Sequence, residues 1–138
     1  MPLFLLMILD FFFEGYNNFP GAAAKRTFQK LGFKGLFEKI KEKKVTHGYF
    51  LTVLGYCEPG KKPVLFEGKM RGTLITTVRL LLPAGETDHQ PYSRFFIPEG
   101  YTKTLIELRA EGNEPHSHRL QALEKLLKYL KNKEDDER

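Results

Sequence analysis

Residues 1–13 carry a single charge, Asp10, and are otherwise apolar. Few structures can hold such a run. It is too short for a bilayer, which takes about 20 apolar residues as a helix. It could pass for the hydrophobic part of a signal peptide, with Ala22-Ala23-Ala24 as a small-residue cleavage site. It has no basic leader, however, and Asp10 and Glu14 interrupt it. A strand apolar on both faces and buried in a sheet fits best. The fold is thereby committed to a sheet with elements packed against it.

The remaining punctuation says what those elements are. Asn17-Asn18-Phe19-Pro20-Gly21 is a dense turn signal. Residues 22–31 read as a short helix stopped by Gly32, and 34–43 as a second helix burying Leu36, Phe37 and Ile40 at helical spacing. Residues 49–57 change period and are rich in aromatic and β-branched types, so they form a strand. After the Glu58-Pro59-Gly60 turn, residues 64–79 return as a long strand or a bent pair. Gly68 and Gly72 within it mark bulges or a close backbone approach. Residues 83–91 form a loop, 95–97 a short buried strand and 102–109 a brief helix. A final helix is capped by Ser117, with Leu120, Leu123, Leu126, Leu127 and Leu130 as its apolar face. Strands and helices in this order give an α/β fold, a mixed twisted sheet with flanking helices. With 138 residues the chain suits one domain, residues 1–130, followed by a charged tail at 131–138.

Charge and chemistry narrow the function classes. The net charge is +5, and residues 25–44 are dense in Lys and Arg, opposed by Glu38 and Glu42 alone. A solvated helix face is the simpler reading of that run, ahead of an anion-binding patch. RNA-recognition, zinc-finger and Arg-rich patterns are absent, so nucleic acid is not an expected partner, and neither is a membrane. Cys57 is the one cysteine, which excludes an internal disulfide and agrees with a cytoplasmic setting. It is expected as a buried, inert thiol. The histidines at 47, 89, 116 and 118 lack zinc-ligand spacing, so no metal site is read from the residues themselves. No nucleophile elbow, P-loop or dinucleotide fingerprint occurs.

Separated stretches, in order, do resemble one family. They are Asn17 to Gly21; Pro63-Val64-Leu65-Phe66-Glu67-Gly68 followed by Gly72; Phe96-Ile97-Pro98-Glu99-Gly100-Tyr101 with Lys103-Thr104 and Glu107-Leu108; and Ser117-His118-Arg119 with Ala122-Leu123. This pattern resembles the inosine-triphosphate-pyrophosphatase-like family, whose members hydrolyse inosine, xanthosine and related triphosphates to the monophosphate and pyrophosphate with Mg²⁺. The resemblance implies a shortened two-lobed α/β fold, a purine nucleotide as ligand and a homodimer. Pairing would run through the part holding the Phe19-Pro20-Gly21 turn, the following helices and the 49–57 strand.

Carried over by residue, Ser117, His118 and Arg119 match the family's base-reading Ser-His-Arg, and Tyr92 matches a tyrosine that makes a possible ligand contact. The rest of the pattern departs. The family's opening strand and its loop with a phosphate-binding lysine and a metal-binding glutamate have no counterpart. The family's acidic residue on the next strand aligns with Ile8, leaving Asp10, two residues on, as the candidate catalytic carboxylate. Gln90 takes the place of the aromatic that stacks on the base, Ser93 of an aspartate, and Asn113-Glu114 of Lys-Asn. The expectation is a purine-nucleotide-binding protein with weak or lost catalysis. The alternative is an active pyrophosphatase on inosine and xanthosine triphosphates, with Mg²⁺ required if active.

Overall fold

The structure, a computed structural model, describes residues 4–83 and 85–136. Its elements are β1 (Phe4–Phe13), β2 (Pro20–Gly21), α1 (Ala24–Glu42), β3 (His47–Cys57), β4 (Val64–Leu74), β5 (Phe96–Pro98), α2 (Leu105–Ala110) and α3 (His118–Asp136), with a 3₁₀ turn at Tyr92–Arg94. The five strands form one antiparallel sheet in the order β2-β1-β3-β4-β5, flanked by helices, which is the α/β class expected. The chain divides into two compact units. One takes the described residues through Leu9, Leu51–Lys69 and the chain from His116 onward; the other takes Asp10–Phe50 and Met70–Pro115.

The second unit holds the larger core. Phe11, Phe13, Leu36, Ile40, Met70, Leu74, Phe95, Phe96 and Leu105 are buried together, with Tyr92 among them. Its rings meet mostly edge to face, as Phe11 does with Phe13 and with Phe96. The turn that enters this core needs left-handed backbone. Asn17 and Asn18 sit at φ 42° and 60°, a region asparagine tolerates better than most residues, and the Phe19–Pro20 bond is cis. At Gly21, φ is 60° and a side chain would fall 2.7 Å from the Asn18 carbonyl, so the turn closes on a residue without Cβ. The two helices expected before β3 are both present, run together in α1 across a break at Gly32, where φ is 66°. α2 begins at Thr104, whose hydroxyl and the Glu107 carboxylate cap each other's backbone N–H groups.

β5 pairs antiparallel with β4, Gly72 facing Pro98 and Leu74 facing Phe96. Gly72 allows this, because a Cβ there would strike the Ile97 carbonyl and the Phe96 ring. The return strand ends at Leu74, short of residue 79, since the chain then leaves the ladder and Arg79 N–H donates instead to the Arg94 carbonyl.

The first unit departs from the sequence reading at β1, along α3 and at Cys57. Residues 1–3, part of the expected buried strand, lie outside the described residues, and its stretch from Leu5 to Leu9 is not buried. Leu5, Leu6, Met7, Ile8 and Leu9 are each at least 43% exposed. β2 pairs only with Phe11 and Phe12, and burial begins where that pairing does. The second correction concerns α3. Leu120, Leu123 and Leu127 face solvent, whereas His118, Ala122 and Leu126 are buried. Ala122 and Leu126 pack with Leu54 and Tyr56 of β3, edged by Phe66, Tyr129 and Leu130. The inward stripe is thus 118, 122 and 126, where His118 and Ala122 are more polar or smaller than the leucines beside them and Leu126 keeps its expected inward place. α3 also continues through residues 131–136, so most of the expected tail is helical; residues 137–138 lie outside the described residues. Cys57 is half-buried, its thiol donating to the Lys61 carbonyl at 3.3 Å.

Candidate functional site

The start of α3 is built by three sequence features acting together. Ser117 caps the helix, its hydroxyl accepting from Leu120 N–H at 3.1 Å, which satisfies one of the donors a helix start leaves open. His118 then turns inward and is 2% exposed. Its Nδ1 lies 2.5 Å from the Thr52 hydroxyl of β3, and Thr52 is fully buried. On the neighbouring strand, Gly68 touches the helix backbone itself. A Cβ there would overlap the His118 carbonyl oxygen and lie 2.9 Å from Ala122 N. Lys69 N–H donates to Gln121 Oε1 at 3.1 Å, and Lys125 Nζ to the Glu67 carbonyl at 2.7 Å. Arg119 follows at the surface.

This arrangement can fix a forked donor beside the N-terminal turn of a helix, where the backbone dipole favours electron-rich groups. Ser117, His118 and Arg119 sit at the start of α3 as cap, buried side chain and exposed cation. Sequence reading missed Thr52. The signal was available, because Thr52 is in phase with the buried Leu54 and Tyr56 and is the polar member of that face.

The other candidates belong to the second unit. Tyr92 is buried in the aromatic core, its ring against Phe11 and Phe95, and its hydroxyl donates to the Ala24 carbonyl at 2.7 Å. Burial raises its pKa well above the usual phenol range. Ser93 is buried and donates to the Gln90 carbonyl. Gln90 accepts in turn from Arg109 Nη1, and Arg109 Nε pairs with Glu114 at 2.9 Å. The segment is pinned by Arg94, which is buried, bonds Asp88 at 2.7 Å and donates also to the Leu80 carbonyl. A surface cavity of about 590 Å³ lies beside this segment's neighbours, lined by Tyr101, Lys103, Glu111 and Glu114 among others. Asp10 is partly buried on β1. No three His, Cys, Asp or Glu residues gather where they could hold a metal ion among the described residues, so these do not by themselves make a Mg²⁺ site, which calls for several oxygen ligands.

Along α1, Lys25, Arg26, Lys30, Lys34 and Lys41 are exposed, while Lys39 is half-buried with its Nζ 5.9 Å from the centre of the Phe19 ring. No described helix is long and apolar enough to cross a membrane.

The antiparallel sheet with flanking helices, and a helix opening Ser-His-Arg against a glycine-bearing strand, are the setting in which the family resemblance is tested. The comparisons agree: the Ham1 family profile matches residues 10–129, and the chain belongs to that family. A dITP/XTP pyrophosphatase of Methanopyrus kandleri is 36% identical over 121 residues, 88% of this chain and 61% of the relative. An inosine triphosphate pyrophosphatase of Puccinia graminis f. sp. tritici is 32% identical, over 86% of this chain and 58% of the relative. The chain therefore spans about three fifths of the length of these curated relatives. Among solved structures, the Ham1 protein of Staphylococcus aureus superposes with a TM-score of 0.75 at 18% identity, covering 95% of this chain and 68% of that one. A HAM1 protein from Coxiella burnetii gives the same score at 20% identity, covering 94% of this chain and 68% of that one.

Proposed function

We propose that this chain binds a purine nucleotide, with the base held at the first turn of α3 by the Ser117-His118-Arg119 segment. The supporting observation is how firmly that turn is built, with a capped helix start, a buried anchor and an exposed guanidinium next to it. Pyrophosphatase catalysis by this chain is expected to be weak. Ile8, Gln90, Ser93, Asn113 and Glu114 stand where the family pattern has other chemistry, and four of them are engaged elsewhere: Gln90 and Glu114 with Arg109, Ser93 with its own turn, Asn113 with Glu111. Asp10 and Tyr92, both of the other unit, stay as candidates, the tyrosine with its hydroxyl bonded to the Ala24 carbonyl. The second reading is an active, Mg²⁺-requiring pyrophosphatase on inosine and xanthosine triphosphates. The names of the relatives favour it. Pyrophosphate release from both triphosphates with Mg²⁺ decides between the two. Turnover far below about one per second supports weak catalysis, and turnover at or above it supports the second reading, since typical enzymes reach about 10 per second.

A cytoplasmic homodimer is the assembly proposed. Leu5 to Leu9 form a solvent-exposed apolar stretch with no charge to discourage pairing, and twofold contacts are the commonest way to cover such a surface. Light scattering over a concentration series should give twice the monomer mass; a soluble monomer at high concentration contradicts it.

A further inference from the structure

Thr52 is a costly residue to place where it is. It is fully buried in the middle of β3, and Leu54 and Tyr56 on the same face pack into an apolar cluster with α3. A hydroxyl in such a place is destabilising unless it is hydrogen-bonded. Its partner is His118 Nδ1, 66 residues further along the chain. A β-branched side chain on a strand is stiff about χ1, so the oxygen is a fixed point and not a mobile one. His118 is as buried as the core leucines, and Gly68 brings its carbonyl down onto β4. The first residue of α3 is thus tied to two adjacent strands. Arg119 follows about 100° further round the helix, so its direction is set once His118 is set.

We propose that Thr52 is a positioning residue for the base-binding end: its hydroxyl holds His118 through Nδ1, and His118 acts as the tether that aims Arg119. This rests on the base-binding reading given above, and it divides the labour inside that segment. His118 serves through its anchor, and Arg119 meets the ligand.

The test pairs variants that separate the hydroxyl from the shape of the side chain. Thr52→Val keeps the shape and removes the hydroxyl; Thr52→Ser keeps the hydroxyl. With folding checked by urea melts, calorimetry against inosine monophosphate is expected to show Thr52→Ser within about twofold of the wild type and Thr52→Val about tenfold weaker, the scale of one lost hydrogen bond. Nitrogen-15 imidazole spectra should show the His118 Nδ1 resonance moved by Thr52→Val and restored in Thr52→Ser. If Thr52→Val fails to fold, His118 variants replace it. Asn reaches where Nδ1 lies and Gln where Nε2 lies, so His118→Asn should bind more tightly than His118→Gln. Equal weakening by Val and Ser, or wild-type binding by Thr52→Val with an unmoved resonance, overturns the proposal. So does tighter binding by His118→Gln than by His118→Asn. If Arg119→Ala binds as the wild type does, the base-binding reading fails, while the imidazole spectra still decide the tether.

Discussion

Replacing Gly68 by alanine is the sharpest perturbation the structure offers. The added methyl has no flexible neighbour to displace. It would overlap the His118 carbonyl oxygen and come within 2.7 Å of its carbon and 2.9 Å of Ala122 N, all of them backbone. Real Cβ contacts do not fall below about 3 Å, so the helix start must lift by roughly 1 Å. Lifting it stretches the Thr52–His118 bond and loosens Ala122 and Leu126 against Leu54 and Tyr56. Overpacking of this sort costs about 1–3 kcal/mol, and a misplacement of about 1 Å at a binding group can cost up to about a hundredfold in function. Urea unfolding should show a lower midpoint with unchanged slope, and calorimetry a loss of inosine monophosphate affinity larger than tenfold. An alanine variant with the wild-type midpoint and affinity would mean that α3 does not rest on β4, and the account of the site would fall with it.

Two further outcomes follow from the same unit. Leu126→Ala should lose about 2–5 kcal/mol in urea unfolding, because the residue is buried, while Leu123→Ala should stay within about 0.5 kcal/mol because its side chain faces water; the reverse order would show that the helix presents its other face. Glu58 accepts from Lys133, Lys61 and Tyr56, with Lys133 the largest influence, and its pKa is held down at about 2. The unfolded chain then binds the proton first, so this contribution is complete above the ordinary carboxylate range and is lost as pH falls from about 4.5 through 2. Melting temperature between pH 5 and pH 2 should therefore fall less steeply in Glu58→Gln than in the wild type, and identical slopes would contradict the assignment.

The parts of this fold legible in the sequence are those set by local rules. Gly32 divides α1 because a residue without Cβ takes φ 66° cheaply, and Asn17 to Gly21 close a turn through two asparagines that tolerate left-handed backbone and a glycine where a Cβ would meet the Asn18 carbonyl. Gly68 and Gly72 announced close approach, and the approaching groups are the His118 and Ile97 carbonyls. What sequence concealed depends on which neighbours are present. The Leu5 to Leu9 stretch reads as buried because it is apolar, yet burial needs a covering element, and pairing with β2 begins only at Phe11. Of the leucines expected on the inward face of α3, Leu126 and Leu130 do pack there while Leu120, Leu123 and Leu127 face solvent, and His118 and Ala122 complete the face, the small Ala122 lying where Gly68 approaches the helix backbone. Thr52 and His118 escaped notice as a pair for a simpler reason. Each is a single polar residue, and only the fold brings them together across 66 positions.

Binding of a purine base at the first turn of α3 is tested most directly by following the backbone amides of nitrogen-15-labelled protein during titration with inosine monophosphate. The largest, saturable shifts should fall on residues 117–120, with smaller ones at Thr52 and Gly68, and Arg119→Ala should diminish them together. Saturable shifts confined to other parts of the chain, or none at millimolar nucleotide, would contradict the claim.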